Sequence, residues 1–120
     1  MDIAIVGATG NVGRKTLEVL QQKNLNIDNL YLVASPNSAG KQLEFNGKKY
    51  SIENLENYDF SKAKITFFAA GGKISKQYAE KAAKHTTVID NSSYFRMDPD
   101  VPLIVPQVNA KDIQNMKKNI

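Results

Sequence analysis

The sequence predicts an α/β domain with a mostly parallel, doubly wound sheet and a small β-hairpin insertion. Three observations predict it. Short apolar runs that close on glycine or on a loop read as strands buried on both faces, as parallel strands are. Two stretches between those runs carry apolar residues at helical spacing. An Asn-Gly pair, Asn46-Gly47, stands between two alternating segments, the strongest short-range signal for a hairpin.

In chain order, residues 3–6 are an apolar run closed by Gly7 and form the opening strand. Val12, Thr16, Leu17, Val19 and Leu20 then recur on one side of a helix over 12–23. Arg14, Lys15, Glu18, Gln21 and Gln22 fall on the other side, and the helix stops near Asn24. Residues 30–34 make a second buried strand, and 35–40, rich in Ser, Pro, Asn and Gly, a loop. Leu43 and Phe45, then Tyr50 and Ile52, alternate with polar residues on either side of Asn46-Gly47.

Residues 65–70 predict another buried strand, ending in Gly71-Gly72. Ser75 predicts the cap of a helix reaching His85, with Tyr78, Ala79, Ala82 and Ala83 as its apolar side. Residues 87–90 give a further strand, and 98–106 a proline-punctuated stretch. A last helical pattern starts at Ala110 with Ile113 and Met116 facing inward. Strand, helix, strand, hairpin, strand, helix, strand is the order of a Rossmann-type domain carrying one insertion.

The composition narrows the function. A chain of 120 residues suffices for one domain with its own core. No apolar run approaches the roughly 18 residues of a membrane span, and the first residues enter a strand at once, so a cytoplasmic location without membrane contact is expected. The net charge of +4 is mild, and the densest basic group, Lys111 with Lys117 and Lys118, includes Asp112. That counts against nucleic acid as a partner and suits a small anionic ligand. With no cysteine, the chain has neither a disulfide, a thiolate metal site nor a cysteine nucleophile, and no metal is expected.

Gly7, Gly10 and Gly13 form G-x-x-G-x-x-G directly after a strand and at the opening of a helix. The first glycine permits the tight turn, the second lets backbone approach a pyrophosphate, and the third lets helix and strand pack closely. Free amides and the positive end of the helix dipole then face the phosphates. This predicts dinucleotide binding. The carboxylate that holds the adenosine ribose in NAD sites is missing at the end of the second strand. Ser35, Asn37 and Ser38 stand there, with Lys41 close by, which favours NADP while leaving NAD possible.

The chain resembles aspartate-semialdehyde dehydrogenase in its N-terminal cofactor domain. The likeness rests on Val6-Gly7-Ala8-Thr9-Gly10-Asn11-Val12-Gly13, Ser38-Ala39-Gly40-Lys41, Phe68-Ala69-Ala70-Gly71-Gly72, and most specifically the run from Val88 through Asp90-Asn91-Ser92-Ser93-Tyr94-Phe95-Arg96 to Pro106. The resemblance implies NADPH-dependent reductive dephosphorylation of β-aspartyl phosphate, an early step toward lysine, threonine and methionine. It implies that Gly7, Thr9, Gly10, Asn11 and Val12 hold the pyrophosphate, and that Ser35, Asn37 and Ser38 face the 2′-phosphate. Asn37 replaces an arginine common in the family. Gly71 and Asn91 would border the nicotinamide, and Arg96 would bind the substrate's acyl phosphate, as a bidentate guanidinium can.

The family's cysteine nucleophile is expected just beyond Ile120 and its acid–base histidine in a second domain. Residues 1–120 are therefore expected to be one NAD(P)-binding domain of a homodimeric or homotetrameric enzyme, inactive without the rest. His85 is read as complementing a helix C-terminus rather than as catalytic. Open apolar surface is expected near Phe95 and along residues 101–105. Two other readings compete: a non-catalytic NADP sensor and a different acyl-phosphate reductase. A short-chain reductase would need Tyr-x-x-x-Lys, and Tyr78 precedes Lys81 by only three positions.

Overall fold

Alternate residues of the first strand face opposite ways, and both faces need covering. β1 (Asp2–Val6) sends Ile3 and Ile5 into one core and Ala4 and Val6 into another, and all four are buried. The computed structural model describes residues 1–120. Its sheet has six strands in the order β3-β4-β2-β1-β5-β6, where β2 is Asn29–Ala34, β3 Gln42–Phe45, β4 Lys48–Asn54, β5 Ile65–Phe68 and β6 Thr87–Asp90. Every pairing is parallel except β3 with β4. The doubly wound, mostly parallel sheet is as expected.

The hairpin turns at Asn46, in the left-handed region at φ 50°. It does not interrupt the sheet as a separate insertion: β4 pairs in parallel with β2 at Leu32↔Ile52, so the hairpin extends one edge. Phe45 and Ile52 consequently join the core under the first helix.

On that face lies α1 (Asn11–Gln22), which buries Gly13, Leu17 and Leu20. Val12 and Val19 are exposed instead of lining this face, because the close approach of Gly13 to the sheet turns the helix so that the 13-17-20 row faces inward. The helix ends at Lys23, followed by Asn24 at φ 52°, a conformation asparagine tolerates well.

The opposite face is covered by α2 (Gly72–Ala83) and by two 3₁₀ turns, Leu55–Asn57 and Phe60–Lys62. These turns place Leu55, Tyr58 and Phe60 over Ala4, Val33 and Phe68. Tyr58 meets Phe60 edge-on at 5.2 Å between ring centroids, and Phe60 stacks on Phe68 at 6.1 Å, geometries that aromatic pairs favour.

Ser75 is not the cap of α2. The helix starts one turn earlier, after Gly71, and Ser75 is a buried residue of the inward row it shares with Ala79 and Ala82. β5 likewise ends at Phe68, leaving Ala69 and Ala70 to the loop.

At the C-terminal end, the short helix α3 (Pro106–Asn109) runs into a 3₁₀ turn, Ala110–Asn115. Ile113 points outward there, contrary to the helical reading, because threefold winding moves it off the inner side. Phe95 itself is buried, but its neighbours Tyr94 and Met97 are exposed, and so are Leu103, Val105 and Val108 further along. The chain then returns along β6. The Val88 amide donates to the Asn119 carbonyl at 2.9 Å, the Asn119 side chain donates to the carbonyls of Ala83 and Thr86, and Ile120 is buried.

Candidate functional site at the carboxyl edge of the sheet

The register lines up the strand ends. Val6 is opposite Val33 on one side and Phe68 on the other, and Phe68 is opposite Asp90. Gly7, Ser35, Ala69 and Asn91 therefore leave the sheet side by side. From β1 the chain crosses to β2 on one side, and β5 lies on the other, so the winding reverses at the gap between β1 and β5. Ligands of open α/β sheets bind at such a reversal, beyond the carboxyl ends of the strands.

Gly7 sits in that gap at φ 86°, and a Cβ there would lie 2.8 Å from the backbone carbonyl of Ala69. Gly13 is tighter still: its Cβ would fall 2.0 Å from the Gly7 carbonyl oxygen. The loop can thus fold back under the start of α1 only with glycine at both positions. Gly7 and Ala8 amides donate to the Val33 carbonyl at 2.8 and 3.2 Å, and the Gly10 amide to the Gly7 carbonyl at 3.1 Å. The amides of Thr9, Asn11 and Val12 donate to nothing in the chain. They stand at the positive end of a 12-residue helix with no acidic side chain in its first turn. A pyrophosphate fits this donor set.

Beside the loop opens a cleft of about 340 Å³ lined by Thr9, Gly10, Ser35, Leu55, Ala70 and Ile74 among others. Thr9 and Ser38 approach each other at 3.4 Å between hydroxyl oxygens, joining the glycine loop to the loop after β2. Asn37 is exposed on that same loop. Gly71 precedes α2, and Asn91 is exposed, with its amide donating to the Phe68 carbonyl at 2.9 Å. Arg96 is exposed, and its side chain has no hydrogen bond or ion pair. The carboxylates that follow it in the chain are engaged elsewhere: Asp98 with Lys118 at 2.8 Å and Asp100 with Lys117 at 3.9 Å. The structure thus gathers the glycine loop and Ser35 around one cleft, with Ser38 against Thr9, and sets Gly71 and Asn91 at the neighbouring strand ends.

A family model described as the semialdehyde dehydrogenase NAD-binding domain matches residues 2–116. The chain belongs to that family. It is 53% identical over 119 residues to aspartate-semialdehyde dehydrogenase of Aquifex aeolicus, covering 97% of this chain and 35% of that protein. It is 46% identical over 117 residues to aspartate-semialdehyde dehydrogenase 2 of Vibrio cholerae, again 97% of this chain and 35% of the relative. Among solved structures, Vibrio cholerae aspartate semialdehyde dehydrogenase II in complex with ASA superposes with a TM-score of 0.94 at 45% identity, over 98% of this chain and 39% of that one. The chain thus spans about a third of the length of these relatives, 35% of each curated one.

Within this semialdehyde dehydrogenase domain, two residues of the site region were not anticipated. Arg14 donates from Nε to the Thr9 carbonyl at 2.9 Å and so ties down the glycine loop. Its place after the third glycine was the available signal. Asp90 accepts hydrogen bonds from Ser75 and Ser92 and shapes the loop that carries Arg96; a carboxylate at a strand end was the signal there.

One pair does have the reductase spacing, Tyr58 and Lys62, and packing removes it from the chemistry. Tyr58 is buried among Tyr31 and Phe60, and its phenol is held well above its ordinary pKa, by burial first and then by surrounding negative charge. Lys62 lies 5.9 Å from the Tyr31 ring and 3.9 Å from Glu53. A second concavity of about 380 Å³ lies at the amino ends of the strands, lined by Met1, Asp2, Asp28, Lys62, Lys64 and His85 among others. It mixes both signs of charge and holds none of the anticipated site residues. His85 lines it and follows α2, away from the glycine loop. No helix is long and apolar enough to cross a membrane.

Proposed function

We propose that residues 1–120 are the cofactor domain of an NADP-dependent aspartate-semialdehyde dehydrogenase, a cytoplasmic enzyme that reduces β-aspartyl phosphate to aspartate semialdehyde and inorganic phosphate. The observation that carries this reading is the set of unpartnered amides of Thr9, Asn11 and Val12 at the reversal of the winding, on a loop whose close packing requires glycine at positions 7 and 13 and beside which a cleft opens. The bound dinucleotide supplies the hydride. The chain's own residues bind and orient: Thr9, Gly10, Asn11 and Val12 hold the pyrophosphate through backbone N–H groups, and Gly7 lets the loop turn.

Ser35, Asn37 and Ser38 offer hydroxyl and amide donors to a 2′-phosphate, with no carboxylate among them to repel it. That supports NADP over NAD. Gly71 and Asn91 border the nicotinamide end, and Arg96, free of any ion pair, holds the substrate phosphate. Having no thiol, the chain alone forms no acyl-enzyme.

Calorimetry on the pure chain tests this. NADPH is expected to bind, more tightly than NADH, while aspartate semialdehyde, phosphate and NADP together give no absorbance change. Absence of heat with either dinucleotide at millimolar concentration overturns the cofactor assignment, and NADP reduction by the chain alone overturns the division of labour.

A further inference from the structure

We propose that Asp90 is a positioning residue for Arg96, acting with the buried Ser75 and with Ser92 to fix the loop that carries the phosphate-binding guanidinium while leaving that guanidinium unneutralised. The inference rests on the reading of Arg96 as a phosphate ligand.

The Asp90 carboxylate is wholly engaged inward. Its Oδ1 accepts from the Ser75 hydroxyl at 2.9 Å and from the Ser92 amide at 2.8 Å, and its Oδ2 accepts from the Ser92 hydroxyl at 2.9 Å. Ser92 Oγ accepts in turn from the Tyr94 amide at 3.2 Å, and the Arg96 amide donates to the Ser93 carbonyl at 3.1 Å. A continuous series of turns therefore runs from the end of β6 to Arg96, anchored on α2 at one end and by the buried Phe95 ring at the other.

Ser75 is 1% exposed, so its hydroxyl depends on a partner within the protein, and the partner it has is this carboxylate. Such bonds to a charged acceptor are short and directional, which suits a support for a ligand-binding loop. They also settle the charge balance. Asp90 spends its acceptors on serines, Asp98 on Lys118 and Asp100 on Lys117, leaving the Arg96 guanidinium without a carboxylate of its own. A phosphate arriving there meets a full positive charge on a loop already folded, and small displacements of such a group are costly to binding.

The test uses the whole chain as wild type and as Ser75→Ala, Ser92→Ala and Ser92→Thr. Each is titrated with inorganic phosphate while the Arg96 Nε–H resonance is followed by NMR, and with NADPH by calorimetry. The expected result is a saturable Arg96 shift in wild type and Ser92→Thr, a phosphate requirement raised roughly tenfold or more in the two alanine variants, and unchanged NADPH binding in all four. Alanine variants that titrate like wild type overturn the role of Asp90. An Arg96 resonance unmoved by phosphate in wild type overturns the reading of Arg96 itself, and the inference with it. The Ser92 pair, half-exposed, keeps the test intact if Ser75→Ala unfolds the chain.

Discussion

A Cβ at Gly13 would fall 2.0 Å from the carbonyl oxygen of Gly7, so the first turn of α1 and the end of β1 are packed backbone against backbone. Gly13→Ala must push this contact apart. We expect it to cost about 3 kcal/mol in chemical denaturation, at the upper end of overpacking penalties, because backbone rather than a flexible side chain has to move.

Gly10 separates stability from binding. Its backbone is extended at φ −80°, and a Cβ would meet only the Gly7 carbonyl at 3.5 Å. Gly10→Glu is expected to change stability by less than about 1 kcal/mol, since a side chain fits. It places a carboxylate against the pyrophosphate position and is expected to weaken NADPH binding roughly tenfold or more, equivalent to at least about 1.4 kcal/mol. Calorimetry beside a denaturant melt reads both.

The glycine loop was legible because its chemistry is local: a strand, three glycines at fixed spacing and a helix follow one another in the chain. The hairpin was legible for the same reason, through Asn46-Gly47. That β4 then pairs in parallel with β2 was not, since the pairing Leu32↔Ile52 joins residues far apart and leaves no periodic trace. Ser75 shows the limit for single residues. A serine near a helix start reads as a cap, and only the fold shows Asp90 waiting across the gap. Leu55, Tyr58 and Phe60 were not assigned to any element because 3₁₀ turns of three residues are too short to repeat a pattern. Ile113 was misread because the winding changes from 3.6 to 3 residues per turn just ahead of it.

Tyr58 carries a buried hydroxyl with no hydrogen-bond partner, an arrangement that costs stability. Tyr58→Phe is expected to raise the unfolding free energy by about 1 kcal/mol, measured by urea denaturation at neutral pH. The same burial raises the phenol's pKa above the ordinary value of 10.0. The contribution is intact below that value and is lost as pH rises from it toward the folded one, because the unfolded chain releases the proton first. Stability should therefore fall above pH 10, and the Tyr58→Phe chain should lack this part of the decline.

Asp98 works in the opposite sense. The hydrogen bond from Lys118, and then the one from the Asp100 amide, hold its carboxyl below the ordinary value of 3.8. Stability from this clamp is present above that value and is lost as pH falls through the lower, folded one. Asp98→Asn is expected to lower the urea midpoint at pH 7, with the difference from wild type shrinking in acid as the wild-type Asp98 carboxyl takes up a proton and loses its charge.

The account depends most on the amides at the mouth of α1. Backbone resonances of the chain, followed while NADPH is added, test it directly. The predicted result is that Thr9, Asn11 and Val12 shift most, with Ser38 following, while Met1, Lys64 and His85 at the far end of the sheet stay still. Shifts centred on that far end, or none at the glycine loop at saturating cofactor, would contradict it.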